Sequence, residues 1–156
     1  NKQHALYTSG DRALKNRLLR ILTEAEHPQV IALAATQFQT AKNMTDKIGA
    51  LVCLCETDSA EKEKSLADFF NAWKDDAVVF NKWLQVQANS NHKNTFETVK
   101  KLTVTAPFSG ENPNNVYALI AGFGNNYLAM QSESGETFKW LCDEILKIDK
   151  KNPIDE

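Results

Sequence analysis

Apolar residues recur along this chain at the three- and four-residue spacings that place them on one face of an α-helix. They predict about eight helices separated by short polar breaks. We expect the core to include Leu18, Phe38, Leu51, Phe70, Trp83 and Ile120. The stripes are Leu14, Leu18, Ile21 and Leu22; Val30, Ala34 and Phe38; Met44, Ile48, Leu51 and Cys55; Leu66, Phe69, Phe70 and Trp73; Val79, Phe80 and Trp83; Phe96, Val99 and Leu102; Val116, Leu119, Ile120 and Phe123; and Phe138, Leu141, Cys142 and Ile145.

Local signals mark the start of several of these helices. Pro28 fits the first turn of the second helix, where its missing N–H costs nothing. Asn94, with Glu97 three residues later, resembles a capping box. Asn112 followed by Pro113 is typical of an N-cap and a first helical position.

The short breaks between helices favour antiparallel neighbours. The pattern therefore predicts an all-α fold, with antiparallel helix pairs stacked as an irregular α-solenoid or superhelix. Val104–Phe108 is the stretch that best fits a brief extended piece, and Pro107 limits it. No fixed-period repeat and no Gly/Ser-rich linker divides the 156 residues, a length typical of one domain.

The balance of charges argues against two classes of partner. With 18 basic and 20 acidic side chains the formal net charge is -2, which gives no field for collecting nucleic acid or an anionic membrane. No apolar run approaches the roughly 18 residues that a membrane span requires. The polar start, residues 1–4, is unlike a signal peptide. We therefore expect a cytoplasmic chain without a nucleic-acid or membrane partner.

The cysteines and histidines do not form a recognisable metal site. Cys53 and Cys55 form a C-x-C pair, but the further ligands that zinc needs are absent from the surrounding sequence. Buried thiols in a reducing compartment are the simpler interpretation, for Cys142 as well. The three histidines are isolated from one another, so no H-E-x-x-H helix is present. They are His4, His27 and His92.

Nucleotide and hydrolase motifs are also missing. Gly122-Phe123-Gly124 has no preceding strand, so it is expected to end the seventh helix rather than to cradle a phosphate. The sequence contains neither a G-x-S-x-G elbow nor a Walker A loop. The residues alone therefore indicate a helical scaffold without an active site.

Several segments, in order along nearly the whole chain, resemble the C-terminal domain of bacterial-type aminopeptidase N, in the M1 zinc metallopeptidase family. Any one segment is weak evidence, but Asn-Met-Thr-Asp, Lys-Trp and Asn-Pro-Asn at compatible separations are specific together. The segments are Asp11–Asn16 with Leu19-Arg20; Gln37-Phe38, Ala41, Asn43–Asp46 and Ala50-Leu51; Lys82-Trp83 and Gln87-Ala88; Glu97–Val99; Asn112–Asn114, Leu119-Ile120 and Phe123; and Gly135, then Asp149 and Asn152-Pro153.

The resemblance implies that residues 1–156 are part of the C-terminal helical domain of a larger enzyme, truncated at both ends. The family enzymes remove N-terminal amino acids from peptides. Their catalytic domain holds zinc in an H-E-x-x-H helix with a distant Glu, and binds the substrate amine through a Gly-x-Met-x-Asn segment. None of these motifs is in this sequence, so no catalytic or metal-binding residue is expected here. Zinc, the catalytic domain and peptide substrates are expected as cofactor and partners of the intact enzyme.

The same resemblance assigns a role to the start of the seventh helix. In the family this domain covers the active site and leaves an internal cavity, and the region after Asn-Pro-Asn can border that cavity. The expected cavity-bordering residues are Asn112, Asn114, Asn115 and Tyr117. Relatives often carry Arg at the positions of Asn115 and Tyr117, and the uncharged residues here weaken the case for binding a peptide carboxylate. Caps and packing are the alternative interpretation.

Two other classes of function are open at this point. An α-solenoid scaffold unrelated to catalysis would bind protein partners through exposed side chains on successive inner helices. A helical array that binds nucleic acid would need a basic stripe, which the balanced charge disfavours. If the chain is truncated, we also expect an exposed apolar surface around residues 138–148 and fraying near residues 150–156.

The missing zinc motif generates a first prediction. The purified chain should not hydrolyse aminoacyl chromogenic substrates and should not retain stoichiometric zinc after dialysis, because it lacks the ligand set. Metal analysis and a rate assay check both points. One tightly held zinc ion per chain would overturn the interpretation.

Overall fold

The computed structural model describes residues 8–151. Every regular element within this range is helical, which confirms the all-α prediction. The expectations for His4 and for residues 152–156 lie outside the described residues. The helices are α1 Ser9–Glu24, α2 Val30–Thr40, α3 Met44–Cys55, α4 Ala60–Trp73, α5 Ala77–Ala88, α6 Thr95–Leu102, α7 Pro113–Val116, α8 Gly122–Gly124, α9 Tyr127–Met130 and α10 Glu136–Lys151.

The chain divides into two compact units, Asn1–Leu66 and Ala67–Glu156. The sequence gives no sign of this division because it falls inside α4, where no loop or linker marks it. In the first unit α2 packs along α3, and α1 packs against both. The buried residues of this unit include Leu19, Val30, Ala34, Phe38, Ala50, Leu51, Leu54 and Cys55.

A buried carboxylate ties the three helices of the first unit together. Asp46 is 2% exposed. Its Oδ2 accepts hydrogen bonds from Lys15 Nζ at 2.8 Å and Asn43 Nδ2 at 3.1 Å, and its Oδ1 accepts one from Asn16 Nδ2 at 3.2 Å. Gln37 Nε2 donates to Asn16 Oδ1 at 2.7 Å and to the Asp46 carbonyl at 2.9 Å. We call these five residues, Lys15, Asn16, Gln37, Asn43 and Asp46, the polar node.

The polar node brings α1 and α3 unusually close at one point. A Cβ atom built on Gly49 would lie 2.5 Å from Asn16 Oδ1 and 2.7 Å from Asn16 Cγ. Real Cβ atoms essentially never lie this close to another atom, so a side chain at position 49 would push the Asn16 side chain away from its hydrogen bonds with Asp46 and Gln37. Glycine is therefore required here for close approach rather than for an unusual backbone conformation.

The polar node also explains why the expectation for Leu18 is wrong. Lys15, Asn16 and Leu19 share the face of α1 that turns toward α2 and α3, and Leu19 is buried. The predicted stripe lies on another face of the helix. Leu14 is 61%, Leu18 52% and Ile21 45% exposed. Polar contacts, not the apolar stripe, have set the rotation of this helix.

The second unit has a continuous apolar core built mainly from α5, α6 and the helix that begins at Pro113. Ile120 is buried as predicted, and so are Phe38 and Leu51 in the first unit. Phe70 and Trp83 are only partly buried and pack at the edge of the core, with ring centroids 5.0 Å apart. The core residues are Phe80, Leu84, Ala88, Val99, Leu102, Ala118, Leu119, Ile120 and Phe123.

Several local expectations are corrected by the structure. Asn94 stands at the N-cap of α6, but its side chain makes no capping bond, so the predicted capping box is absent. A capping box forms instead at α1, between Thr8 and Asp11. α2 begins at Val30, two residues after Pro28. Residues 104–108 form turns with a cis Ala106-Pro107 bond rather than an extended piece.

Replacing Asp46 with Ala tests the polar node. We expect a loss of about 2–4 kcal/mol in the free energy of unfolding, because the amides of Asn16 and Asn43 lose their acceptor. The Lys15 side chain is 42% exposed, so water partly compensates its lost ion pair. Urea denaturation gives the value.

Glu24→Ala is the matched control. It breaks an ion pair between exposed side chains, Arg20 Nε to Glu24 Oε1 at 3.2 Å, and should cost ~0.5 kcal/mol or less. Equal effects of the two substitutions would show that the polar node does not organise the first unit.

Candidate functional site

The segment from Asn112 to Tyr117 contains the expected cavity-bordering residues, and Asn112 is the N-cap of the helix that starts there. Its Oδ1 accepts hydrogen bonds from the backbone N–H of Asn114 at 3.0 Å and of Asn115 at 3.4 Å. Pro113 occupies the first turn, as predicted. The side chain of Asn112 is therefore committed to starting the helix.

Asn115 is a buried structural residue, 3% exposed. Its Oδ1 accepts a hydrogen bond from the Ser109 backbone N–H at 3.0 Å, and its Nδ2 donates to Asn81 Oδ1 at 2.7 Å. It thus connects the loop after α6 to α5. A longer charged side chain at this position would lose both contacts. Of the two interpretations of Asn115, this geometry favours packing.

Tyr117 and Asn114 have the opposite environment, since both are exposed. Tyr117 is 71% exposed and begins a π-helical turn, Tyr117–Ala121, between α7 and α8. Turns of this kind widen a helix and are frequent at functional sites. The structure therefore brings together two structural asparagines, Asn112 and Asn115, and two side chains that can touch a ligand, Asn114 and Tyr117.

Each unit also carries an open groove of a size that small molecules or side chains can fill. In the second unit a groove of about 440 Å³ is lined in part by the apolar side chains of Phe108, Ile120 and Ile148. Lys147 and Glu144 also line this groove and form an ion pair at 2.5 Å. In the first unit a groove of about 420 Å³ lies over the polar node, whose carboxylate is already satisfied. Sequence reasoning found neither groove, since no motif marks them.

The thiols of α3 are poorly suited to a metal. Burial raises the pKa of Cys53, a rise partly offset by a hydrogen bond with Thr23, and burial raises the pKa of Cys55 to about 12. Metals bind thiolates, which this environment disfavours. No group of three or more His, Cys, Asp or Glu residues between positions 8 and 151 could hold a metal ion. These residues do not fit a zinc site, so the zinc that the resemblance implies has no set of ligands here.

Two surface features complete the description. On α10 three apolar side chains are exposed, as expected for residues 138–148: Phe138 is 63%, Ile145 51% and Leu146 58% exposed. No helix in the described part of the chain is long and apolar enough to cross a membrane.

Short helices that follow one another along the chain and pack on their neighbours are the arrangement of a helical-repeat protein. The family model described as "Domain of unknown function (DUF3458_C) ARM repeats" matches residues 2–154. The chain belongs to this family.

Curated relatives support the resemblance to bacterial-type aminopeptidase N. Aminopeptidase N of Caulobacter vibrioides is 35% identical over 147 residues, and that of Escherichia coli K12 is 31% identical over 143 residues. These matches cover 94% and 91% of this chain but only 17% and 16% of the relatives. The chain therefore matches a domain-sized part of much longer proteins.

A solved structure gives the same picture in three dimensions. The crystal structure of Legionella pneumophila aminopeptidase A in complex with aspartic acid superposes with a TM-score of 0.85 at 34% identity. The match covers 93% of this chain and 17% of the Legionella chain.

The buried thiols generate a prediction about reactivity. In the native chain at pH 8 a thiol reagent should modify the partly exposed Cys142 well before Cys53 and Cys55, which are 3% and 2% exposed. Mass spectrometry of the modified peptides checks the order, and urea should abolish the difference. Equal rates in the native protein would contradict the burial of α3.

The raised pKa values also fix the direction of a pH effect. The folded-state pKa of Cys55 lies above the ordinary value of 9.0. The stability contributed by its protonated form is therefore complete below that value and is lost as the pH rises toward about 12. Cys55→Ser should shift this alkaline unfolding limb, which circular dichroism follows.

Proposed function

We propose that this chain is part of a non-catalytic helical domain of an aminopeptidase that removes N-terminal amino acids from peptides. Its role is steric: the domain covers the active site, which lies outside these residues, and restricts the access of large substrates. We further propose that the intact enzyme uses zinc, belongs to the M1 metallopeptidases and is cytoplasmic. In this enzyme the partners of the chain are the catalytic domain and the peptide substrate.

The observation that carries the proposal is that the matches cover nearly all of this chain but only a small part of each aminopeptidase. The Caulobacter relative, called an aminopeptidase, matches 94% of this chain, while the chain spans 17% of the relative. The match to the Legionella structure likewise covers 93% of this chain and 17% of the Legionella chain, at a TM-score of 0.85. A segment embedded in this way in several aminopeptidases is best explained as one of their domains.

The use of polar side chains inside the fold supports a non-catalytic role. The residues that carry the resemblance include Asn43 and Asp46, which hold the polar node together. Asn112 caps a helix. Aspartate and asparagine side chains take part in catalysis in other proteins, but Asn43, Asp46 and Asn112 form hydrogen bonds that define the fold. The chemistry of peptide hydrolysis would therefore come from another part of the enzyme.

Within the proposed covering domain, Asn114 and Tyr117 are the residues best placed to meet a substrate. Asn112 and Asn115 would act indirectly, by fixing the start of the helix and the loop beside it. Tyr117 offers a large aromatic surface with a hydroxyl at its tip, a side chain that packs against peptide chains at low entropic cost. Tyr117 is uncharged, so it would discriminate among peptide substrates by their size and packing rather than by their charge.

An interaction scaffold unrelated to catalysis is the second candidate. Three apolar side chains of α10 favour it, Phe138, Ile145 and Leu146, because all three are exposed and exposed apolar surface often marks a protein interface. The two candidates differ in one respect that can be tested. Only the first predicts aminopeptidase activity in the full-length product of the gene that encodes this chain.

Tyr117→Ala in that full-length product tests the covering role. We expect the ratio of kcat/KM for a long peptide to kcat/KM for a dipeptide to rise by about threefold, because a side chain that narrows access is removed. Steady-state kinetics with peptides of increasing length measure the ratio.

Tyr127→Ala is the matched control, since Tyr127 is 74% exposed against 71% for Tyr117. It should leave the ratio unchanged. If both variants behave as the unmodified enzyme does, Tyr117 does not border the cavity. If the full-length product has no aminopeptidase activity, the scaffold is the better description.

A further inference from the structure

The first turn of the helix that carries Tyr117 is held by a side chain from α5. This side chain is Asn81, whose Oδ1 accepts a hydrogen bond from Asn115 Nδ2 at 2.7 Å. The other end of the same amide is also used, because Asn115 Oδ1 accepts a hydrogen bond from the Ser109 backbone N–H at 3.0 Å. The buried amide of Asn115 is therefore fixed from two sides.

Asn115 and Tyr117 lie on opposite sides of this helix. At about 100° per residue, positions two apart are separated by roughly 160° and positions three apart by about 60°. Asn114 and Tyr117 therefore share one face, and both are exposed. Asn115 is buried on the other side. A helix start that is anchored through Asn115 must turn Tyr117 outward.

Apolar packing is a weaker constraint on this turn. Asn115 is the buried residue of α7, whereas Val116 is only partly buried. The fully buried core residues of this helix begin at Ala118, inside the π-helical turn Tyr117–Ala121. A π-helical turn has i→i+5 hydrogen bonds, so it changes the rotation of the residues before it relative to those after it. The direction of Tyr117 therefore depends on the contacts of Asn115 and not on the apolar core alone.

We infer that Asn81 is a positioning residue, which sets the direction of Tyr117 through its hydrogen bond with Asn115. Asn81 does not itself meet a substrate in this scheme, since it acts through Asn115. The consequence for substrates rests on the proposed function, in which Tyr117 narrows the access of long peptides. Loss of the Asn81–Asn115 hydrogen bond would then relax the restriction on long peptides and leave short ones unaffected.

Asn81→Ala and Asn81→Asp in the full-length product of the gene test the hydrogen bond first. Alanine removes the acceptor, so the buried amide of Asn115 loses a partner. Aspartate keeps an oxygen that can accept from Asn115 Nδ2. Hydrogen exchange across residues 109–118, followed by mass spectrometry, should become about fivefold faster in Asn81→Ala. It should stay nearly unchanged in Asn81→Asp.

Steady-state kinetics of the same variants test the consequence for substrates. Asn81→Ala should raise the ratio of kcat/KM for a long peptide to kcat/KM for a dipeptide by about twofold, because Tyr117 no longer keeps its direction. Asn81→Asp should give the unmodified ratio. In a Tyr117→Ala background, Asn81→Ala should not change the ratio further, because the side chain that Asn81 positions is then missing.

Asn126→Ala is the matched control for a general loss of stability. Asn126 is a buried asparagine of the same unit, and its Nδ2 donates to the carbonyls of Ala88 and Ser90, at the C-terminal end of α5. Its replacement should lower Tm at least as much as Asn81→Ala does, because two hydrogen bonds are lost. The ratio of the two kcat/KM values should not change.

Four results would overturn the positioning role of Asn81: unchanged hydrogen exchange in Asn81→Ala, faster exchange without a change in the ratio, an additive effect in the Tyr117→Ala background, or an equal change of the ratio in Asn126→Ala. If Asn81→Ala does not fold, Asn81→Ser replaces it, since its shorter side chain also withdraws the acceptor. If the unmodified full-length product has no aminopeptidase activity, the proposed function fails. The exchange data then decide by themselves whether Asn81 holds Tyr117 in place.

Discussion

The carboxylate of Asp46 is the constraint on which the first unit depends. A charge buried to this extent is tolerated only when several donors surround it. Lys15, Asn16 and Asn43 supply them, and Gln37 fixes Asn16 in turn. These groups come from three helices and one loop, so the spacing and rotation of the helices follow from the geometry of one side chain. Apolar packing then fills the space that this arrangement leaves.

Hydrogen bonds of asparagine side chains have a similar structural role in the second unit. Asn115 joins the backbone at Ser109 to the side chain of Asn81, and Asn126 Nδ2 donates to the carbonyls of Ala88 and Ser90 at 3.1 and 2.7 Å. Asparagine suits such positions because one short side chain offers both donors and acceptors. In the first unit, five residues of the segments that resemble the aminopeptidase family, Lys15, Asn16, Gln37, Asn43 and Asp46, form the hydrogen bonds that join its helices.

The sequence predicts helix type and order well because apolar periodicity is a local property. Stripes such as Val30, Ala34 and Phe38 are buried as expected. The rotation of α1 could not be predicted, since it depends on a buried carboxylate 31 positions from Lys15. The resemblance located the candidate site at Asn112–Tyr117, but the sequence does not show that Asn115 is buried while Tyr117 is exposed. That difference arises from the loop at Ser109 and from the π-helical turn, which no local pattern indicates.

The contact between Gly49 and Asn16 limits the order in which this fold can change during evolution. A side chain at position 49 would require a smaller residue at position 16 first, because the side chain of Asn16 occupies the space. Shortening position 16 removes a donor to Asp46 and an acceptor for Gln37, so the intermediate sequence is itself less stable. The two positions are therefore epistatic, and lineages should retain both residues or exchange them together with part of the surrounding amide network.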